Sequence, residues 1–190
     1  VTLNGQQLVW CKHAKHLGNY VSWDLSEAKE IANKRSDLVG RVNTVLGNLN
    51  GVPLQAVLKV FRSKCCHYYG SMTWQYDLGC LKDFSTMWNK CVRRLLCLPT
   101  KTHTRFLPSI AEMPSPMQQI SRMFLRQAHV MKKSDNELVQ YIAHRAEIYC
   151  NTIIRKNIDF IKSNDFLRDS LAIDDKCKIQ VIKELLFEDV

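Results

Sequence analysis

"DLSEAKEIANKRSDLVGRVNTVLGNLNGVP", residues 24–53, is the stretch that decides the fold class. Ala28, Ile31, Ala32, Leu38, Val39, Val42, Val45, Leu46 and Leu49 recur three or four positions apart, which draws one apolar stripe down a long helix. Asp24, with Glu27 three residues later, reads as a capping box that opens this helix. Asn50-Gly51-Val52-Pro53 closes it, with Pro53 placed to start the next one.

Downstream, the same period continues. A second helix is expected to bury Leu54, Val57, Leu58, Phe61, Cys65, Tyr68 and Met72. A third, from about Leu78 to Leu98, turns Leu81, Phe84, Trp88, Cys91, Val92 and Leu95 inward. "LPTKTHTRFLPSIAEMPSP" then interrupts the helices with four prolines. Ser115-Pro116 restarts one as N-cap and first-turn proline, with Met117, Ile120, Met123, Phe124, Ala128 and Met131 as its stripe. A further helix opens at Asp135 and extends toward Ile161, and an acidic amphipathic segment follows near Asp174–Phe187.

Upstream the pattern changes to β. "VTLNGQQLVWC" places two short β-prone runs around Asn4-Gly5, a hairpin signal, and "HLGNYVS" is a third strand. About two dozen residues of β structure are too few for a domain and need something to pack on. The fold class is therefore mainly α, a helical bundle preceded by a small N-terminal β-hairpin and strand. Because the sequence starts at Val1, it looks like an excised piece or a processed product.

Composition narrows the function classes. Hydrophobic residues make up 46% and charged residues 24% of the 190, the balance of a soluble globular protein. No run reaches the roughly 18 apolar residues a membrane span needs, so no membrane partner is expected. Net charge is +9, and its placement is uneven. Residues 1–133 hold 19 Lys/Arg against 7 Asp/Glu, whereas residues 134–190 hold 8 against 11. A basic body with a mildly acidic tail points to a polyanion-binding face, with nucleic acid the first candidate and a solvated helix face the plain alternative.

The eight cysteines show no C-x2-C or C-x3-C spacing. Cys65, Cys91 and Cys150 fall on apolar stripes, where cysteine behaves as a small hydrophobe. The expectation is core thiols in an intracellular, reducing compartment, the cytoplasm or nucleus. A zinc site from Cys65, Cys66, His67 and Cys80 is the weaker reading. No catalytic constellation stands out. There is no glycine-rich phosphate loop, nucleophile elbow or H-E-x-x-H, and Asp77 and Asp83 read as dipole partners near the start of the third helix.

The cations carry more information. Lys34 and Arg41 are seven apart on one face of the first helix, widened by Lys29 and Arg35. Lys59 and Arg62 lie outside the stripe of the second helix. The third adds Lys90, Arg93 and Arg94, and the proline-rich connector adds Lys101, His103 and Arg105. Cations spaced in this way touch successive phosphates without reading bases.

In order, "KHLGNYVS", "LVGRVNTVLGNLNGVPLQAVLKVFRSKCCHYYGSMTW" and "VRRLLCLPTKTHTRFLPSIAEMPSP" resemble the LINE-type reverse transcriptases of non-long-terminal-repeat retrotransposons, over residues 1 to about 130. The resemblance implies that Lys15-His16-Leu17-Gly18 is the primer-grip strand at the end of a palm, with His16 where tyrosine is common. It implies residues 1–23 as the palm remnant, 24–98 as a thumb-like bundle and 99–133 as a basic connector and helix; residues 134–190, beyond the resemblance, read from their charge as an acidic helical extension. The thumb would lie along the minor groove of the RNA–DNA hybrid, which is wide and shallow in A-like duplexes. The partner expected is an RNA–DNA or DNA duplex, held weakly by this chain alone.

The family's Asp-Asp turn, fingers and endonuclease are absent from this sequence. The resemblance thus implies a chain that does not polymerise alone and holds no cofactor, Mg²⁺ belonging to the intact polymerase with its palm and fingers. With the primer-grip residues Lys15, His16, Leu17 and Gly18 that it implies, the cations singled out by their spacing complete the expected nucleic-acid contacts: Lys29, Lys34, Arg35, Arg41, Lys59, Arg62, Arg93, Arg94, Lys101 and Arg105. The alternative is a helical protein-interaction scaffold or an element remnant without function.

Overall fold

The computed structural model describes residues 2–7, 10–165 and 167, and the expected segment near Asp174–Phe187 lies outside them. Four short strands form two separate antiparallel hairpins, and the other regular elements described are helices. In the first hairpin, β1 (Thr2–Leu3) pairs with β2 (Gln6–Gln7). Its turn, Asn4-Gly5, takes φ of 51° and 78°, the two left-handed residues a tight hairpin wants.

The stretch expected as one strand is itself a second hairpin. β3 (His13–His16) pairs with β4 (Asn19–Ser22), with Lys15 opposite Tyr20 and His16 opposite Asn19. Leu17 and Gly18 form the two-residue turn at φ of 47° and 84°.

The first long helix, α1 (Ala28–Asn48), begins later than expected and without a capping box. The Asp24 carboxylate instead accepts the Ser26 N–H at 3.0 Å, closing a local turn at a left-handed Leu25. Ile31, Leu38, Val42 and Val45 bury the expected stripe, while Ala28 stays exposed.

α2 (Leu54–Val60) runs into a π-helical turn, Phe61–Cys65. The extra residue in that turn ends the helix at Cys66, so Tyr68 and Met72 belong to the segment beyond it. Leu54, expected inward, is exposed; Val57, Leu58, Phe61, Cys65 and Tyr68 are buried.

α3 (Gly79–Leu95) buries all six residues of its stripe. Its first turn carries no acid: Asp77 precedes the helix and is bonded by Gln75 at 2.7 Å, and Asp83 faces Arg35. α4 (Leu107–Ile110) is one turn within the connector. α5 (Pro116–Lys132) opens with the expected Ser115 cap, completed by Gln118 into a capping box.

The next stretch is two helices. α6 (Glu137–Ile148) and α7 (Ile153–Ser163) are broken at Tyr149–Thr152, where Thr152 caps α7 by accepting the Arg155 N–H. Cys150 falls in this break and is exposed. Cysteine on an apparent stripe was here a turn residue.

One hydrophobic core joins α1, α2, α3, α5 and α7, built around Phe61, Trp74, Tyr76, Phe84, Trp88 and Phe124. Trp74, Tyr68 and Phe84 meet edge to face, as do Tyr76, Phe124 and Phe160. Asn157 of α7 is fully buried and pins the extended chain between Trp74 and Tyr76. Its Nδ2 donates to Trp74 O at 2.8 Å and its Oδ1 accepts from Tyr76 N at 3.0 Å.

Candidate nucleic-acid interface

The second hairpin is fixed to the bundle at two points. The Tyr20 N–H donates to Glu30 Oε2 at 2.7 Å, and Glu30, buried, is paired with Lys34 at 3.3 Å. The Asn19 side chain lies over Gly70, where an added Cβ would sit 2.6 Å from Asn19 Oδ1. The hairpin and the "YYGSMTW" loop, far apart in sequence, therefore meet. Lys15 and His16 are exposed on β3, with Lys15 Nζ 5.9 Å from the Tyr20 ring centroid, and Leu17 and Gly18 form the exposed tip.

The remaining cations divide by what they hold. Lys34 is committed to Glu30, and Arg35 reaches Asp83 at 3.8 Å across the α1–α3 contact. Arg93 is half-buried and gives Nε and Nη2 to the Thr102 carbonyl at 3.2 and 2.8 Å, tying the connector to α3. Arg62 reaches over to the connector as well, with Nη2 3.1 Å from Ala111 O and 3.6 Å from the Glu112 carboxylate. Guanidinium forks suit such multiple carbonyl contacts.

Arg41 and Arg94 are exposed and sit on either side of one face of α1. Arg41 Nη1 donates to the Lys64 carbonyl at 2.8 Å, satisfying an acceptor in the π turn and bringing Arg41 beside Lys64. Arg94 Nη2 donates to Asn43 Oδ1 at 3.0 Å. Residues 41 and 43 flank the inward Val42, so the outer face between them is the row of Gly40, Thr44 and Gly47, all exposed. A Cβ at Gly40 or Gly47 would meet nothing within 4 Å. A shallow cleft of about 270 Å³ borders this row, lined in part by Arg41, Asn48, Val60 and Lys64. Lys29, Lys59, Lys101 and Arg105 are exposed too, Arg105 stacked 5.3 Å from the Phe106 ring.

Lys64 was not among the expected contacts. A plain signal in the sequence marks its surroundings: residues 38–76 contain no Asp or Glu but do contain Arg41, Lys59, Arg62 and Lys64. Phosphate competes poorly with neighbouring carboxylates for cations, so a carboxylate-free run is a better guide than cation spacing alone.

Two thiols, Cys66 and Cys91, are packed against the aromatic core and α3. Burial pushes Cys66 up to about 11, against hydrogen bonds with Trp88 and Tyr68 that pull it down; burial does the same to Cys91, against the pull of Arg94. Raised values hold both as neutral thiols at ordinary pH. Among the described residues, no group of three or more His, Cys, Asp or Glu comes together to hold a metal ion, and the Cys65, Cys66, His67 and Cys80 grouping does not form one. Nor is any described helix long and apolar enough to cross a membrane.

No family model matches the chain, and no curated protein or solved structure does either.

Proposed function

We propose that this chain is the thumb-bearing, non-catalytic part of a LINE-type RNA-directed DNA polymerase, and that it holds template–primer duplex by sequence-independent phosphate contacts. The resemblance of the sequence supplies the polymerase half of this reading. The observation that carries the binding half is the outer face of α1: a row of small residues, Gly40, Thr44 and Gly47, with Arg41 and Lys64 along one side and Arg94 along the other. A backbone can approach such a face closely, and the flanking cations then straddle it. Contacts to phosphates alone suit a protein that must move along its duplex.

The test is a titration of a fluorescent RNA–DNA hybrid with the full chain at several salt concentrations. Binding should weaken steeply with salt, with log K falling by roughly 0.9 per neutralised phosphate, hence by about 3 per decade for three contacts. Arg41→Glu/Lys64→Glu should lower both the affinity and the slope. Binding indifferent to salt, or none at low salt, overturns the reading.

One observation favours the interaction scaffold instead: Trp10, Leu17, Trp23 and Leu25 around the hairpins are exposed large apolar side chains. A protein contact made there would be insensitive to the same salt range.

A further inference from the structure

The proline-rich connector between α3 and α5 presents an aromatic ring beside uncommitted cations. Phe106 is 52% exposed, while its neighbour Leu107 is fully buried and fastens this stretch to the core. Two backbone bonds shape the connector. The Thr102 N–H donates to the Pro99 carbonyl at 3.0 Å, and the Phe106 N–H donates to the His103 carbonyl at 3.2 Å, which makes two successive turns. Arg93 grips the Thr102 carbonyl between them and so ties both turns to α3.

On this frame the Arg105 guanidinium carbon lies 5.3 Å from the Phe106 ring centroid. The His103 ring meets the same ring edge to face, with centroids 5.9 Å apart. His103 is oriented in turn, since its Nδ1 accepts the Arg105 backbone N–H at 3.4 Å.

What sets this group apart from the other cations is that its charge is unspent. Among the described residues, neither Lys101 nor Arg105 makes an ion pair or gives a side-chain hydrogen bond, whereas Lys34, Arg35, Arg62 and Arg93 all do. Carboxylates are missing from the surroundings too. Residues 84–111 hold five Lys or Arg and no Asp or Glu. A cleft of about 660 Å³ opens beside Arg105, which is the one charged residue in its described lining, and Ser85 Oγ is buried at its wall without a hydrogen-bond partner.

This chemistry selects its occupant. A guanidinium with its five N–H groups free, set against an exposed ring, fits a phosphate next to a stacked base. The bases of a duplex are stacked on one another, so the ring calls for a strand whose bases are free. A protein partner is poorly served. The large apolar side chains exposed here are Phe106 and Ile110 alone, against the roughly 800 Å² per side that a stable protein interface takes.

We propose that the connector binds single-stranded nucleic acid, with one base stacked on Phe106 and the adjoining phosphate held by Arg105. This goes beyond the duplex reading, because the ligand is a single strand and the site is on the connector, not on the outer face of α1.

The experiment measures fluorescence anisotropy of a labelled twelve-nucleotide oligo(dT), and of a strand of the same length built from abasic sites, with the full 190-residue chain. Phe106→Leu keeps apolar bulk at an exposed position and removes only the ring. It should weaken oligo(dT) about tenfold, the scale of one stacked base, and leave the abasic strand bound as by wild type. Phe106→Trp should hold oligo(dT) at least as tightly as wild type, and Arg105→Ala should weaken both strands. The same Phe106 effect is expected in the Arg41→Glu/Lys64→Glu background, so a failure of duplex binding leaves this result standing. Unchanged oligo(dT) affinity in Phe106→Leu overturns the proposal, as does an equal loss on the two strands. An oligo-glutamate peptide bound with the same dependence on Phe106 would assign the connector to an acidic protein, and overturns it as well.

Discussion

A Cβ on Gly70 would lie 2.6 Å from Asn19 Oδ1 and 2.8 Å from its Cγ, at a φ of +84° that side chains rarely adopt. Gly70→Ala therefore meets two penalties at once, left-handed strain and displacement of the side chain that seats the hairpin. We expect it to cost about 2 kcal/mol in urea unfolding and to speed exchange of the Tyr20 amide, whose bond to Glu30 depends on that seating. An unchanged Tyr20 exchange rate would mean the hairpin is held elsewhere. Neither residue announces the contact in the sequence. "LGN" and "YYG" read as ordinary turns, and only their meeting in space gives Gly70 its second constraint.

Among the elements, the buried stripes and the Ser115–Pro116 opening of α5 were legible, and the start of α1 and the break between α6 and α7 were not. The stripe of α3 was read residue for residue, because six large apolar side chains at helical spacing leave one way to be buried. Ends depend on single hydrogen bonds that several residues compete for. Asp24 went to a local turn instead of a cap, and Thr152 broke in two what the apolar period alone would have continued. The π turn was invisible for a related reason: one extra residue does not interrupt an apolar run. Asn157 is the polar group on which the α7 contact turns. Asn157→Ala would leave the Tyr76 N–H and the Trp74 carbonyl buried without partners. A loss of about 2–4 kcal/mol is expected in chemical denaturation. A loss below ~1 kcal/mol would show that water or backbone movement replaces both bonds.

For the molecule as a whole, charge was legible as a total and misleading as a list. Of the cations singled out by spacing, Lys34, Arg35, Arg62 and Arg93 are taken up within the protein; the Glu30–Lys34 pair is readable four apart on α1, and the long-range ties of the other three are not. The buried thiols set a limit on the pH range of the fold. Cys66 and Cys91 titrate near 9.0 when ordinary and at about 11 when folded, so the folded state keeps protons that the unfolded chain gives up. Stability from this source is complete below about pH 9 and is lost as pH rises toward 11. Urea midpoints measured from pH 7 to 10.5 should stay level and then fall, and Cys66→Ala/Cys91→Ala should blunt the fall. A decline beginning below pH 8 would point to other groups.

The bonds of Asn157 also bear on the order in which the chain can be finished. They join α7 to a segment 81 residues earlier, so on the ribosome Trp74 and Tyr76 emerge long before the side chain that closes over them. At about 5–20 residues per second that wait is roughly 4–16 s. α1 and α2 are complete when that interval opens and α3 follows within its first quarter, yet the aromatic seam between them and the later helices stands open to water and to chaperones. A nascent chain stalled before residue 157 should therefore leave uncovered Trp74 and Tyr76, which the finished fold buries.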